Sequence, residues 1–129
     1  MAIRILSEAE HMRTCINNDP ELKLIGRHVS MNMAMEIGAD KLLFHVREGE
    51  IKEIRPVLPM IDSIDIYLKA EKEDWEKLLA PVPPPRFQNL KAAMRAKNCE
   101  ISGNVELYSA YFPAINRIID VMRELQNAG

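Results

Sequence analysis

The side chains able to do acid-base, nucleophilic or metal chemistry are few and scattered along this chain of 129 residues. His11, His28 and His45 lack the short spacings of a local zinc motif, so only the fold could bring them together, and no metal is expected. Cys15 and Cys99 form no CxxC and have no further cysteine to complete a metal or disulfide framework, which fits a reducing, intracellular compartment. Cys15 shares a helical face with Met12 and Ile16 and reads as a core thiol, because no neighbouring cation is placed to favour its thiolate. Asp62 and Asp65 come nearest to paired carboxylates. At that spacing in an extended segment they project to opposite sides, so they are expected on the solvated surface and not as an acid-base couple. His45 or Tyr67 at the centre of a small enzyme would have no motif behind it. The chain contains no GxGxxG, GxxxxGK[ST], HExxH or GxSxG. The expectation is a protein with no catalytic residues and no cofactor.

Apolar chemistry stands out instead. Eight methionines against 5% aromatic residues mean that flexible thioether side chains fill much of the interior. Met31, Met33 and Met35 alternate with polar residues and would share a sheet face with Leu42, Phe44, Val46, Ile64, Ile66 and Leu68. A terminal helix carrying Tyr108, Tyr111, Phe112, Ile115 and Ile119 matches that face. Such a stripe is commonly core. Methionine also adapts to varied apolar shapes, which suits a site for a lipid-like molecule. Charge is the second signal. Between Lys77 and Cys99 the chain has five cations, Lys77, Arg86, Lys91, Arg95 and Lys97, and no acid; with 17 cations and 19 acids in all, this segment is +5 and the remainder −7. Beside the apolar Phe87, Leu90 and Met94, the residues Arg86, Lys91 and Arg95 are candidates to contact phosphates or an anionic membrane. A solvated helix face is the ordinary alternative.

The elements that position these residues follow from periodicity. Ser7-Glu8-Ala9-Glu10 has the form of a capping box opening a helix, which Asn17-Asn18-Asp19-Pro20 closes. From Leu24 to Leu68 the period is two. A long strand through Val29 to Ile37 meets a turn at Gly38 to Lys41; with Ala39 and Asp40 at its centre, Ile37 faces Leu42, Met35 faces Phe44 and Met33 faces Val46. Glu48-Gly49 marks a second turn, Ile51 to Val57 a third strand, and Ile64, Ile66 and Leu68 a fourth. A helix bearing Trp75, Leu78 and Leu79 stops at the prolines between Pro81 and Pro85, and a short helix through Phe87, Leu90 and Met94 is closed by Asn98. A fifth strand near Cys99 to Gly103 precedes a long helix that Pro113 should kink or divide. Clustered strands joined by tight turns indicate one α+β domain over residues 1–129 with a five-stranded, largely antiparallel sheet. Net charge −2 and 47% hydrophobic content exclude disorder and a nucleic-acid-binding protein, and no apolar stretch approaches the 18 or so residues of a membrane span. A soluble, cytoplasmic protein is expected.

The order of elements resembles the sterol carrier protein type 2 domain over nearly the whole chain. Three features carry the likeness: Leu24-Ile25-Gly26 leading into the long strand, the Arg47-Glu48-Gly49-Glu50-Ile51 turn, and Cys99-Glu100-Ile101-Ser102-Gly103-Asn104 before the last helix. The resemblance implies helices covering one apolar sheet face and a hydrophobic tunnel between sheet and C-terminal helix. That tunnel would take a fatty acid, fatty acyl-CoA or sterol-like molecule in a non-catalytic carrier. The chain lacks the peroxisomal C-terminal signal of eukaryotic carriers, which points to a prokaryotic-type, stand-alone member. Applied to this sequence, the tunnel residues are Met31, Met33, Met35, Phe44, Val46, Ile66, Leu68, Tyr108, Tyr111, Phe112, Ile115 and Ile119. The partners implied are a lipid-like small molecule, transient contact with a membrane surface, and an enzyme or second copy of the chain if the apolar face is an interface. In that last case the protein is an accessory subunit or oligomerisation module of an enzyme acting on hydrophobic substrates.

Overall fold

Alternating apolar side chains at Met31, Met33, Met35 and Ile37 leave one face of a strand in need of cover, and the chain supplies it with helices before and after the sheet. The computed structural model describes residues 3–87, 89–96 and 98–128. A 3₁₀ turn at Arg4–Ser7 leads into α1 (Ala9–Asn17) and α2 (Pro20–Ile25). Then come β1 (Met31–Ile37), β2 (Asp40–Arg47), β3 (Glu50–Pro56), β4 (Ile66–Ala70), α3 (Lys72–Leu78), α4 (Leu90–Arg95), β5 (Glu100–Gly103) and α5 (Val105–Gln126). The sheet order is β3-β2-β1-β4-β5; β1 and β4 run parallel and the other pairs antiparallel.

The β1–β2 hairpin keeps the expected apolar parity but not the expected register. Ile37 pairs with Asp40, so Met35 faces Leu42, Met33 faces Phe44 and Met31 faces Val46, a shift of two residues. The loop is Gly38-Ala39, and Gly38 takes the positive φ of 63° that a two-residue hairpin wants at its first central position. At the next hairpin both Glu48 and Gly49 have positive φ, 51° and 80°, as a tight type I′ turn requires. Gly49 admits no side chain: a Cβ there would lie 2.7 Å from the Gly26 carbonyl oxygen and the Arg27 Cα. On edge strand β3, Asn17 donates to the Ile51 carbonyl (2.9 Å) and accepts from its N–H (2.8 Å), occupying backbone groups that an edge otherwise exposes.

The connection 57–65 crosses the face of the sheet opposite the main core. It leaves at Val57, whose N–H donates to Lys41, and arrives at Asp65, whose N–H donates to Asn32. Paired residues Ala34 and Leu43 on that face are buried. Asp62 holds the crossing by accepting two hydrogen bonds from Arg55 (2.6 and 2.8 Å) and one from Leu58 N–H (2.6 Å). Its side chain is 7% exposed, so it is a buried partner in an ion pair, not the solvated surface group expected.

Three helical expectations change. The capping box does not form: Ser7 lies in the 3₁₀ turn, and Glu8 occupies the N-cap of α1 without a side-chain cap bond. Asp19-Pro20 ends α1 and also starts α2, where Asp19 accepts from Leu22 N–H and Pro20 sits at the first helical position; Leu24 is therefore helical, and period two begins at Met31. Finally, α5 runs unbroken through Pro113, which is exposed, so the Ser109 carbonyl that loses its partner faces solvent and not the core. Cys15 is half-buried with its Sγ 3.7 Å from the His11 ring, on the margin of the core.

Candidate functional site

Where β5 meets α4 and the first turns of α5, the helices diverge and leave grooves in the surface. One of about 460 Å³ is lined by Lys91, Met94, Arg95, Tyr108, Ser109 and Phe112. A second, of about 190 Å³, is lined by Met94, Ile101 to Val105 and Tyr108. Met94 and Tyr108 belong to both and form the ridge between them. The Tyr108 hydroxyl donates to the Met94 sulfur at 2.9 Å, and the Tyr108 and Phe112 rings meet edge to face at 5.5 Å. Burial raises the Tyr108 phenol above its usual range, so at neutral pH it remains a hydrogen-bond donor.

Local sequence explains each wall. Asn89 caps α4 by accepting from Ala92 N–H (2.8 Å), and α4 is closed by the Asn98 N–H donating to Ala93. Over these turns Leu90 and Ala93 face inward while Lys91 and Arg95, four residues apart, share the outer rim. Asn104 caps α5 by accepting from Leu107 N–H (3.1 Å), which sets Tyr108 and Phe112 one turn apart above the groove. Lys91 and Arg95 are the charged residues of the lining; no carboxylate joins them among the described residues. Arg86 is exposed, at a φ of 79°. Lys97 lies outside the described residues.

Of the twelve tunnel residues expected from the sequence, Tyr108 and Phe112 line the groove and Tyr111 is half-buried beside them on α5. The other nine, Met31, Met33, Met35, Phe44, Val46, Ile66, Leu68, Ile115 and Ile119, are at most 3% exposed and pack in the central cluster with Trp75 and Leu78. The methionine face is thus filled core beneath the grooves. Met94, Ser109 and the stretch from Ile101 to Val105 also line the grooves and are not among the site residues expected from the sequence. Met94 was legible only as a helical apolar position next to two cations.

The groups considered for catalysis are held in structural bonds. Tyr67 donates to Glu36 at 2.6 Å, and burial together with that carboxylate pushes its phenol up to about 12. His45 Nδ1 lies 3.0 Å from the Asn32 side-chain oxygen. Cys99 is buried, and desolvation drives its thiol up to about 12, far from a thiolate at neutral pH. Among the described residues no cluster of His, Cys, Asp and Glu is arranged to hold a metal ion, and no helix is long and apolar enough to cross a membrane.

No family model matches the sequence, and no curated protein matches it. Solved structures do. The chain superposes on sterol carrier protein 2 with a TM-score of 0.71 at 14% identity, covering 89% of this chain and 92% of that one. It superposes on a conserved hypothetical protein from Thermus thermophilus, described as possibly a sterol carrier protein, with a TM-score of 0.69 at 14% identity over 92% and 85%. The third is a ubiquinone synthesis protein, UbiJ-SCP2, with a TM-score of 0.61 at 17% identity over 95% and 93%. The fold is therefore that of the sterol carrier protein 2 domain, as the order of elements in the sequence suggests.

Proposed function

We propose that this protein is a non-catalytic carrier of an apolar or amphipathic molecule, and that the ligand enters at the groove between α4, β5 and α5. One observation supports the reading most directly: on a fold shared with sterol carrier protein 2, a groove walled by Met94, Tyr108 and Phe112 has Lys91 and Arg95 at its rim and no lining carboxylate among the described residues. Apolar walls take the chain or ring of a ligand, while the paired cations suit a carboxylate or phosphate head. A fatty acid or fatty acyl-CoA fits that division better than an uncharged sterol. The same rim, with Arg86, suits brief contact with an anionic membrane from the cytoplasm. The test is native mass spectrometry of the purified protein, followed by titration with a fluorescent fatty acid. A bound lipid mass and saturable binding lost in Met94→Glu are expected. A lipid-free protein that binds no probe would sink the reading.

A second reading has its own support. Leu58, Met60 and Ile61 project from the 57–65 crossing, with Met60 97% exposed. Together with the likeness to a ubiquinone synthesis protein, this favours an accessory subunit that presents an apolar contact to an enzyme or to a second copy of the chain. A stable oligomer without bound lipid in the same mass spectrum would select it.

A further inference from the structure

The central methionine layer is closed, yet the grooves lie directly outside it, and the wall between them is the N-terminal part of α5. We propose that residues 105–112 are a gate, hinged at Pro113, which swings away from α4 and β5 to join the groove to the apolar layer beneath; this rests on the carrier reading of the same site. Four observations converge on that segment. Pro113 has no N–H, so the Ser109 carbonyl lacks its partner and the helix ladder is weakest where the hinge would be. Burial changes at the same residue: none of 105–113 is buried, whereas Ala114, Ile115, Ile118, Ile119, Val121 and Met122 all are.

Anchoring changes there too. After Pro113, α5 is tied down by Arg117 on Asp19 (2.7 and 2.8 Å), by Arg123 Nε on the Leu78 carbonyl (2.7 Å) and by Asn116, which accepts from Leu90 N–H (3.3 Å). Before Pro113, the side-chain bond to α4 among the described residues is the one Tyr108 donates to the Met94 sulfur, a weak acceptor. At its start the segment follows Gly103, whose φ of 106° suits a residue without a side chain and gives the chain a sharp bend before α5. The segment is thus bounded by a glycine at one end and a proline at the other, and it lines open surface grooves of about 190 and 460 Å³. Opening it breaks the Tyr108 bond to the Met94 sulfur and strains the tie at the glycine end, where the Asn104 N–H donates to the Asp65 carbonyl (2.8 Å), and it exposes Ile101, Leu107 and Tyr108, which an entering apolar chain would cover again.

Amide hydrogen exchange on the ligand-free protein, resolved along α5, tests the hinge directly. Amides 108–112 are expected to exchange at least about tenfold faster than 115–122, and Pro113→Ala, which restores a donor to the Ser109 carbonyl, should slow them by about tenfold. In stopped-flow mixing with cis-parinaric acid, Pro113→Ala should slow association by a similar factor, while Tyr108→Phe, which removes the latch hydroxyl, should speed it. Uniform protection on both sides of Pro113, or exchange that Pro113→Ala leaves unchanged, overturns the gate whether or not the probe binds. An exchange contrast of the expected kind in a protein that takes up no cis-parinaric acid keeps the hinge and removes the carrier reading instead.

Discussion

Asp19 does two jobs with one carboxylate. It caps α2 through Leu22 N–H (2.9 Å) and receives both arms of Arg117 from α5, 98 positions away in sequence. Arg117's hydrogen bonds hold its carboxyl below the usual range. Replacing Asp19 by Ala removes a cap and leaves the Arg117 guanidinium only the exposed carboxylates of Glu21 (3.1 Å) and Glu124 (3.7 Å), so a loss of about 1–3 kcal/mol is expected in urea unfolding. A loss within about 0.5 kcal/mol, the range of an ordinary surface change, would contradict this assignment. Asp62 gives the pH counterpart. The hydrogen bonds from Arg55 hold it down to about 2, against an ordinary 3.8. A carboxyl that is a stronger acid when folded contributes stability above its unfolded value and loses it as pH falls through the folded one, here from about pH 4 to pH 2. The thermal midpoint should therefore fall across that window, and Asp62→Asn, which cannot ionise, should fall less steeply. Parallel profiles would refute the assignment.

Among the elements, the two hairpins next to β2 separate glycine's uses. Gly38 needs chiefly its positive φ, since the nearest atom to an added Cβ is Lys72 Cβ at 3.2 Å, a tight contact that a shift of a few tenths of an ångström relieves. Gly49 needs both φ and space, because its added Cβ meets backbone of residues 26 and 27 at 2.7 Å. Gly38→Ala should cost about 1 kcal/mol and Gly49→Ala about 2–4 kcal/mol by equilibrium unfolding, with the larger loss at Gly49. Reversal of that order would show that the α2–β3 contact is easily remodelled. The same scale separates core methionines from site methionines. Met33 is fully buried between β2 and β4, so Met33→Lys should unfold the protein outright, whereas half-exposed Met94→Glu should leave circular dichroism unchanged and lose the fluorescent fatty acid. A folded Met33→Lys would mean that the layer opens more readily than its packing indicates.

For the whole molecule, cations concentrate on the segment that carries α4, while the rest of the chain is acidic. Lys91 and Arg95 thus sit at the groove mouth inside a locally positive surface, although the net charge is −2. Each near-surface cation is worth about 1 kcal/mol at an anionic bilayer, and salt screens the attraction. The double change Lys91→Glu and Arg95→Glu should slow transfer of a bound fluorescent fatty acid to phosphatidylserine-containing vesicles at least about tenfold at low ionic strength, and leave transfer to neutral vesicles alone. Equal rates on both vesicle types would return this patch to ordinary solvated surface.

Alternation in β1 and β2, the Glu48-Gly49 turn and the clustered order of strands were enough to give an α+β domain with a five-stranded, mostly antiparallel sheet, because each is a local property of pleat or turn. The apolar face was legible for the same reason: a register shift of two residues preserves parity, so Met35 reaches the core whether it faces Phe44 or Leu42. Which partner it has depended on the loop closing at Gly38-Ala39, and that is a matter of backbone angles. Periodicity reports which side chains are turned from water, not whether the layer they enter is filled. Nine of the expected tunnel residues met complementary side chains and became core. The groove appeared instead where a short helix, an edge strand and the loosely anchored start of α5 fail to close on one another, and that gap depends on how distant segments are placed, which no local spacing encodes.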